Sequence, residues 1–322
     1  MRLREFLESR QTVIYFAAVA LAAGMAWLMP STAALAPAID PLLALMLFAT
    51  FLQMPLMELR QALMNVRFIG ALLTANFIAV PVLVFALMPW LPPDPLLRTG
   101  VLLVLLSPCI DYVVTFAQLG HADARALLAS TPVLLGVQML LLPVFLEFFL
   151  DDTASSLVQW QPFLHAFVWL IAVPLLLAVA CQAWARRTRM GGIVVRALGL
   201  LPVPATAAVL FVVVTSVTPQ LGLAWGAVKA VLPIYVVFAI AAPLLGWATA
   251  RGWQLPAKQG RAVAFSSATR NSLVVLPLGL AIPGGIPLIP AVIVAQTLVE
   301  LVSELIYVKL LSLLGRQGKG AA

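Results

Sequence analysis

Ten stretches of roughly twenty apolar residues, joined by short polar links, run through this chain at about 11 to 29, 39 to 58, 68 to 89, 97 to 119, 126 to 150, 162 to 185, 197 to 218, 227 to 250, 262 to 282 and 288 to 313. A helix needs about 20 residues to cross the hydrocarbon layer of a bilayer. No water reaches that layer to satisfy a backbone, so segments of this length must cross it as helices. The expectation is an all-α polytopic membrane protein with ten transmembrane helices. Composition agrees, with 63% hydrophobic and 10% charged residues in 322, against about 45 to 50% and about 25% in soluble domains. The first span is too long, and too continuous with the next, to read as a cleaved signal peptide.

Fifteen of the nineteen Lys and Arg residues fall at the termini and in alternate loops, including Arg2, Arg60, Arg125, Arg186, Arg187, Arg251, Lys258 and Arg316. By the positive-inside rule this places both termini in the cytoplasm, with the chain a multi-pass protein of the cell membrane. The net charge of +7 is accounted for by basic residues beside anionic headgroups. No basic patch is interleaved with aromatics, so nucleic acid is not an expected partner. Both cysteines, Cys109 and Cys181, lie inside spans and far apart, which supports neither a disulfide framework nor a zinc site. No cofactor is expected. Without a Walker sequence, a soluble insertion, charge rings or a filter repeat, the chain reads as a carrier driven by an ion gradient, not an enzyme, ATPase or channel.

Five spans precede the polar segment "DDTASSLVQWQ" (151 to 161) and five follow it. An odd number per half makes the second half enter from the opposite side, so residues 1–155 and 156–322 are expected to be inverted-topology repeats. The most polar interiors support the pairing. The fourth span carries Ser107, Pro108, Cys109 and Asp111, and the ninth carries Ser266, Ser267, Thr269, Arg270, Asn271 and Ser272. These are expected to be broken, crossing helices whose free backbone groups meet substrate and coupling ion.

A charged residue near a helix centre costs about 2.5 to 3.5 kcal/mol on insertion scales, so Asp111 and Arg270 are expected to pair across the two breaks. The plainer alternative is a static ion pair that locks two helices. Cys109 and Asp111 are about 200° apart on a regular helix and can share a cavity only if Pro108 interrupts it. In the last span Gln296, Glu300 and Glu304 recur every four residues, with Thr297, Ser303 and Tyr307 close on the wheel, so one stripe must face protein or water. Glu300 is expected in a cavity, and Glu304 at headgroup level beside Lys309. Asn76 and Gln138 read as helix-to-helix hydrogen bonders, and His121 and Asp123 as a solvated turn. Cys181 reads as packing.

The run "PCIDYVVTFAQLGHAD", with Pro108, Cys109, Phe116, Gly120 and Asp123, resembles the fourth helix of the arsenite permease branch of the bile acid/sodium symporter superfamily. "ATRNS" in the ninth span and "LVEL" with Glu300 in the tenth resemble that family's corresponding segments. The resemblance implies ten helices in two inverted repeats, a panel and a core domain, crossed fourth and ninth helices, and export of trivalent arsenic through the fourth-helix cysteine. Arsenite is a neutral trihydroxide at neutral pH and thiophilic, so one thiol can hold it reversibly. The chain departs from the family where Arg270 replaces the first of an Asn pair, Leu273 stands near the usual acid, and Asp111 replaces a neutral residue.

From these follow the expected functional residues: Cys109 as soft ligand, Arg270 and Asp111 as gate or coupling pair, Asn271, Ser107, Thr269 and Glu300 as cavity polar groups, and Pro108 as helix break. The expected partners are the bilayer, arsenite or a related metalloid, and a coupling proton ahead of sodium, carried by Asp111 or Glu300. The competing expectation is a transporter of an organic anion whose carboxylate or sulfonate Arg270 grips bidentately.

Overall fold

The structure, a computed structural model, describes residues 2–29, 34–35, 37–53, 65–110, 112–150, 161, 164–165, 167–280, 282 and 284–315. In chain order its helices are α1 (Arg2–Leu28), α2 (Ile39–Gln53), α3 (Val66–Thr74), α4 (Val80–Leu87), α5 (Pro95–Leu105), α6 (Tyr112–Leu119), α7 (Ala124–Phe149), α8 (Val173–Arg187), α9 (Arg189–Leu198), α10 (Pro202–Gly252), α11 (Ala257–Ala268), α12 (Ser272–Leu280) and α13 (Leu288–Leu310). A π-helical turn, Ala75–Ala79, joins α3 to α4, and another, Phe167–Ala172, leads into α8. Among the described residues there is no β-strand, and the protein is an all-α polytopic membrane protein.

Five runs are long and apolar enough to cross a membrane singly: Val66–Trp90, Ala124–Phe149, Val168–Arg187, Ala224–Gly252 and Leu288–Leu313. A bent pair, Arg189–Leu198 with Pro202–Ser216 at 41°, makes a sixth candidate. The fourth and ninth expected spans are each split, into α5 with α6 and α11 with α12. One expectation differs: the loop between the seventh and eighth spans is helical, and α10 runs on for 51 residues. The link "PQLGLAWG" carries no charge but contains Pro219, and the helix continues through that proline. The expected loop residues 151–160 lie outside the described residues.

Chain contacts divide the protein into two compact units, each drawn from both ends of the sequence. One comprises Met1–Leu56, Gln159–Val228 and Leu273–Val294. In it Gln182 Nε2 donates to Phe51 O and Leu52 O of α2, and Gln53 Nε2 donates to Gly199 O at the end of α9. Arg186 and Arg187 occupy the last turn of α8, where cations complement the helix dipole.

The other unit comprises Met57–Val158, Lys229–Ser272 and Ala295–Ala322. Its outer faces are apolar, with Ile78, Val82, Phe85, Leu140, Phe148 and Ile240 exposed, as lipid-facing side chains are. Buried within it are the polar side chains of Asn76, Ser107, Thr269, Arg270, Glu300 and Glu304. Asp94 and Asp123 cap α5 and α7 by accepting from Leu97 N (2.9 Å) and Ala126 N (3.2 Å). Asp123 and exposed His121 thus form the solvated turn expected of "GHAD".

Candidate functional site

The site begins where two helices stop. Pro108 has no N–H to continue α5, and Cys109 N donates to Thr269 O (3.0 Å) instead of Leu105 O one turn back. On the other helix, Asn271 N donates to Ser107 O (2.7 Å), and Arg270 N donates to Glu300 Oε2 (2.7 Å). Pro108 and Arg270 thereby form an isolated antiparallel bridge, so the two breaks are hydrogen-bonded to each other.

Each donor turned away leaves a carbonyl behind. In a continuous helix Cys109, Arg270 and Asn271 would donate to Leu105 O, Ser266 O and Ser267 O respectively. All three carbonyls accept from the guanidinium of Arg270: NH1 donates to Leu105 O (3.3 Å), and NH2 approaches Ser266 O (2.6 Å) and Ser267 O (2.7 Å). NH2 also lies 2.9 Å from Asn76 Oδ1, in the π-helical turn, and Asn76 Nδ2 donates to Ser266 Oγ. The cation lies over the ring of Phe238, 5.6 Å from its centroid. Arg270 is completely buried. Hydrogen bonds to a charged group are worth about 1.5 to 3 kcal/mol net, so two of the four offset the cost of about 2.5 to 3.5 kcal/mol for placing the charge at a helix centre.

Among the described residues the acceptors of this guanidinium are neutral. Asp111, expected as its partner, lies outside them. Arg270 Nε and Asn271 Nδ2 are buried donors without a hydrogen-bond partner among the described residues.

Behind the bridge, α13 presents its polar stripe inward. Glu300, 3% exposed, accepts from Tyr112 Oη (2.5 Å), Gln296 Nε2 (2.6 Å) and Arg270 N (2.7 Å). Glu304 is not at headgroup level: it is fully buried and accepts from the Thr269 hydroxyl, while Lys309 is exposed. Residues 297, 300, 304 and 307 share one inward face at helical spacing, and position 309 falls on the opposite one. Thr297 Oγ1 donates to Ser272 Oγ (2.8 Å), and the Tyr307 hydroxyl donates to Ala239 O.

Cys109 is a reduced thiol and completely buried beside Pro108. Ser107, also buried, turns its hydroxyl onto its own helix at Leu103 O, and the buried Thr269 hydroxyl lies between Phe265 O and Glu304, with one proton for the two. The structure thus brings together the described residues expected at the site: Ser107, Pro108, Cys109, Thr269, Arg270, Asn271 and Glu300. It adds Tyr112, Gln296, Glu304 and Asn76, of which Asn76 was legible only as a helix-bridging amide. Gln138, expected to bridge helices, is buried with neither amide atom bonded among the described residues. A cavity of about 540 Å³ lies elsewhere in this unit, lined by Arg67, Thr74, Thr249, Gly252, Trp253 and Gln254.

An all-α membrane protein with two broken helices bonded at their breaks and a buried cation between them has the build of a carrier. The sequence model of the sodium bile acid symporter family matches residues 40–224, more than half of the chain, and the protein belongs to that family. Its membership makes it a membrane transporter. The matched residues include the first break and not the second. No curated protein matches the sequence.

Proposed function

We propose that the protein is a proton-coupled secondary transporter that exports arsenite or a related trivalent metalloid, with its two halves acting as inverted repeats and both termini in the cytoplasm. The observation that carries this reading is the internal use of Arg270. NH2 already has three protein acceptors and NH1 a fourth, so a bidentate grip on a carboxylate would first require breaking the guanidinium's bonds to Asn76 and to the freed carbonyls. What remains at the breaks, among the described residues, is a thiol, Cys109, with two donors that have no hydrogen-bond partner, Asn271 Nδ2 and the single N–H of Arg270 Nε, and one N–H makes no bidentate grip. That set suits a neutral, thiophilic trihydroxide better than an anion.

The reciprocal bonds at the breaks, Cys109 to Thr269 and Asn271 to Ser107, support the repeat reading, because equivalent positions of the two halves answer each other antiparallel. Glu300 is the proton carrier this arrangement favours, with Asp111 the other candidate. As a carboxylate it accepts three donors. As an acid it would find an acceptor in Gln296 Oε1, which has no hydrogen-bond partner among the described residues, once that amide turns over.

The test is arsenite accumulation in everted membrane vesicles under an imposed pH gradient, with Cys109→Ser beside the wild type. Gradient-dependent uptake lost in the variant is the expected result; no uptake by wild-type protein confirmed in the membrane would overturn the arsenite reading. Family membership itself favours a second reading, an organic anion carried with sodium or protons, under which Cys109→Ser would leave flux nearly intact.

A further inference from the structure

We infer that Arg270 is a tethered cation occupying the crossover's own cation site, so that this protein binds no sodium there and vacating the site lets a free cation enter. The inference rests on the transporter reading for its meaning, though not on arsenite as the substrate.

The argument starts from what two broken helices expose. The C-terminal end of a helix carries partial negative charge on carbonyls with no intrahelical partner. In carriers built from discontinuous helices such ends, with unwound carbonyls, coordinate the coupling cation. Here the ends in question are those of α5 and α11. The carbonyls released by the breaks are Leu105 O, Ser266 O and Ser267 O, and the Asn76 amide oxygen joins them, giving four oxygens at 2.6 to 3.3 Å from one guanidinium. Neutral oxygens around a positive charge make a cation site, filled by a residue of the same chain.

The seat is closed as well as filled. The ring of Phe238 faces the guanidinium, and Arg270 is completely buried. Its backbone N–H is fixed to Glu300 Oε2 and its neighbour's N–H to Ser107 O, which anchors the tether, and the guanidinium leaves only by giving up its four oxygens. A sodium ion entering the same cage would meet a fixed positive charge a few ångströms away. Among the described residues, the Glu300 carboxylate at the bridge is already engaged by three donors.

The test uses the purified full-length protein and reads thermal unfolding, not flux, so its failure is distinct from a wrong substrate. Wild-type protein is expected to melt at the same temperature in sodium chloride and in choline chloride. Arg270→Ala removes the cation and leaves the carbonyls facing one another. It is expected to melt lower and to recover about 4 °C or more with low-millimolar methylguanidinium, which the wild type ignores. Sodium stabilisation of the wild type would overturn the inference, and so would an Arg270→Ala protein that folds and responds to no cation. If Arg270→Ala does not accumulate, Arg270→Lys retains a tethered charge and is expected to fold and stay indifferent to sodium; a sodium response in it would equally overturn the inference.

Discussion

Glu300 accepts from a phenol, an amide and a backbone N–H contributed by three separate segments, and this makes its replacements informative. Alanine would strand three donors in a dry interior. Interhelical bonds in membranes average about 0.6 and reach about 1.7 kcal/mol, and stranded donors cost about 1 to 3 kcal/mol each, so a loss of about 3 kcal/mol or more is expected. Glutamine keeps one acceptor, and its new N–H group can donate to the unpartnered Gln296 Oε1. Glu300→Gln should therefore retain most of the stability while uncoupling flux from the pH gradient, because an amide carries no proton. Unfolding midpoints together with vesicle flux check both parts; a Glu300→Gln protein that still follows the gradient would remove Glu300 as carrier. The stripe holding Glu300 was legible because its period is local. The neutral acceptors of Arg270 were not, since a long cation that binds backbone carbonyls leaves no complementary side chain in the sequence to find.

The half-helices depend on neighbours that let their ends come close. Gly246 on α10 packs so tightly on α11 that a Cβ there would land on Ser267 Oγ and Cβ and crowd Ala264 Cα. Ser267 cannot easily give way, because its carbonyl holds Arg270 and its hydroxyl is bonded to Val263 O. Gly136 on α7 offers the contrast: a Cβ there meets nothing within 4 Å. Replacing Gly by Ala in a helix gains up to about 1 kcal/mol from propensity, whereas overpacking a tight contact costs about 1 to 3 kcal/mol. Gly136→Ala should thus leave the unfolding midpoint unchanged or raised, and Gly246→Ala should lower it. Equal midpoints for the two variants would mean that the α10 to α11 contact is looser than described. At this scale the breaks could be read in advance, from Pro108 and from the polar run 266 to 272, because both are interruptions of an apolar pattern. The helical link across 217 to 226 could not, since turn expectation there rested on spacing alone.

Several bonds that close the crossover join distant parts of the chain. Arg270 to Leu105 spans 165 residues, Tyr112 to Glu300 188, and Asn76 to Arg270 194. Such closures carry the loop entropy of most of the sequence and form late. They also explain why the compact units are drawn from both ends of the chain while the repeats inferred from sequence are consecutive: a unit built around crossed breaks needs one break from each half. The two thiols report on this closure in the intact protein, for Cys109 is completely buried at the bridge and Cys181 is partly exposed on α8. Alkylation by N-ethylmaleimide, read separately in Cys109→Ala and Cys181→Ala proteins, should be at least about tenfold slower at Cys109, the ratio that a local opening costing about 1.4 kcal/mol imposes. Gly246→Ala, which forces the α11 end to shift, should narrow that ratio without changing the rate at Cys181. Arsenite should slow the Cys109 reaction further if the thiol is its ligand, and an organic anion should not. Equal rates at the two cysteines of the otherwise unaltered chain would show a crossover open to solvent at rest, in which case the seat of Arg270 would be a gate that stands ajar and not a filled site.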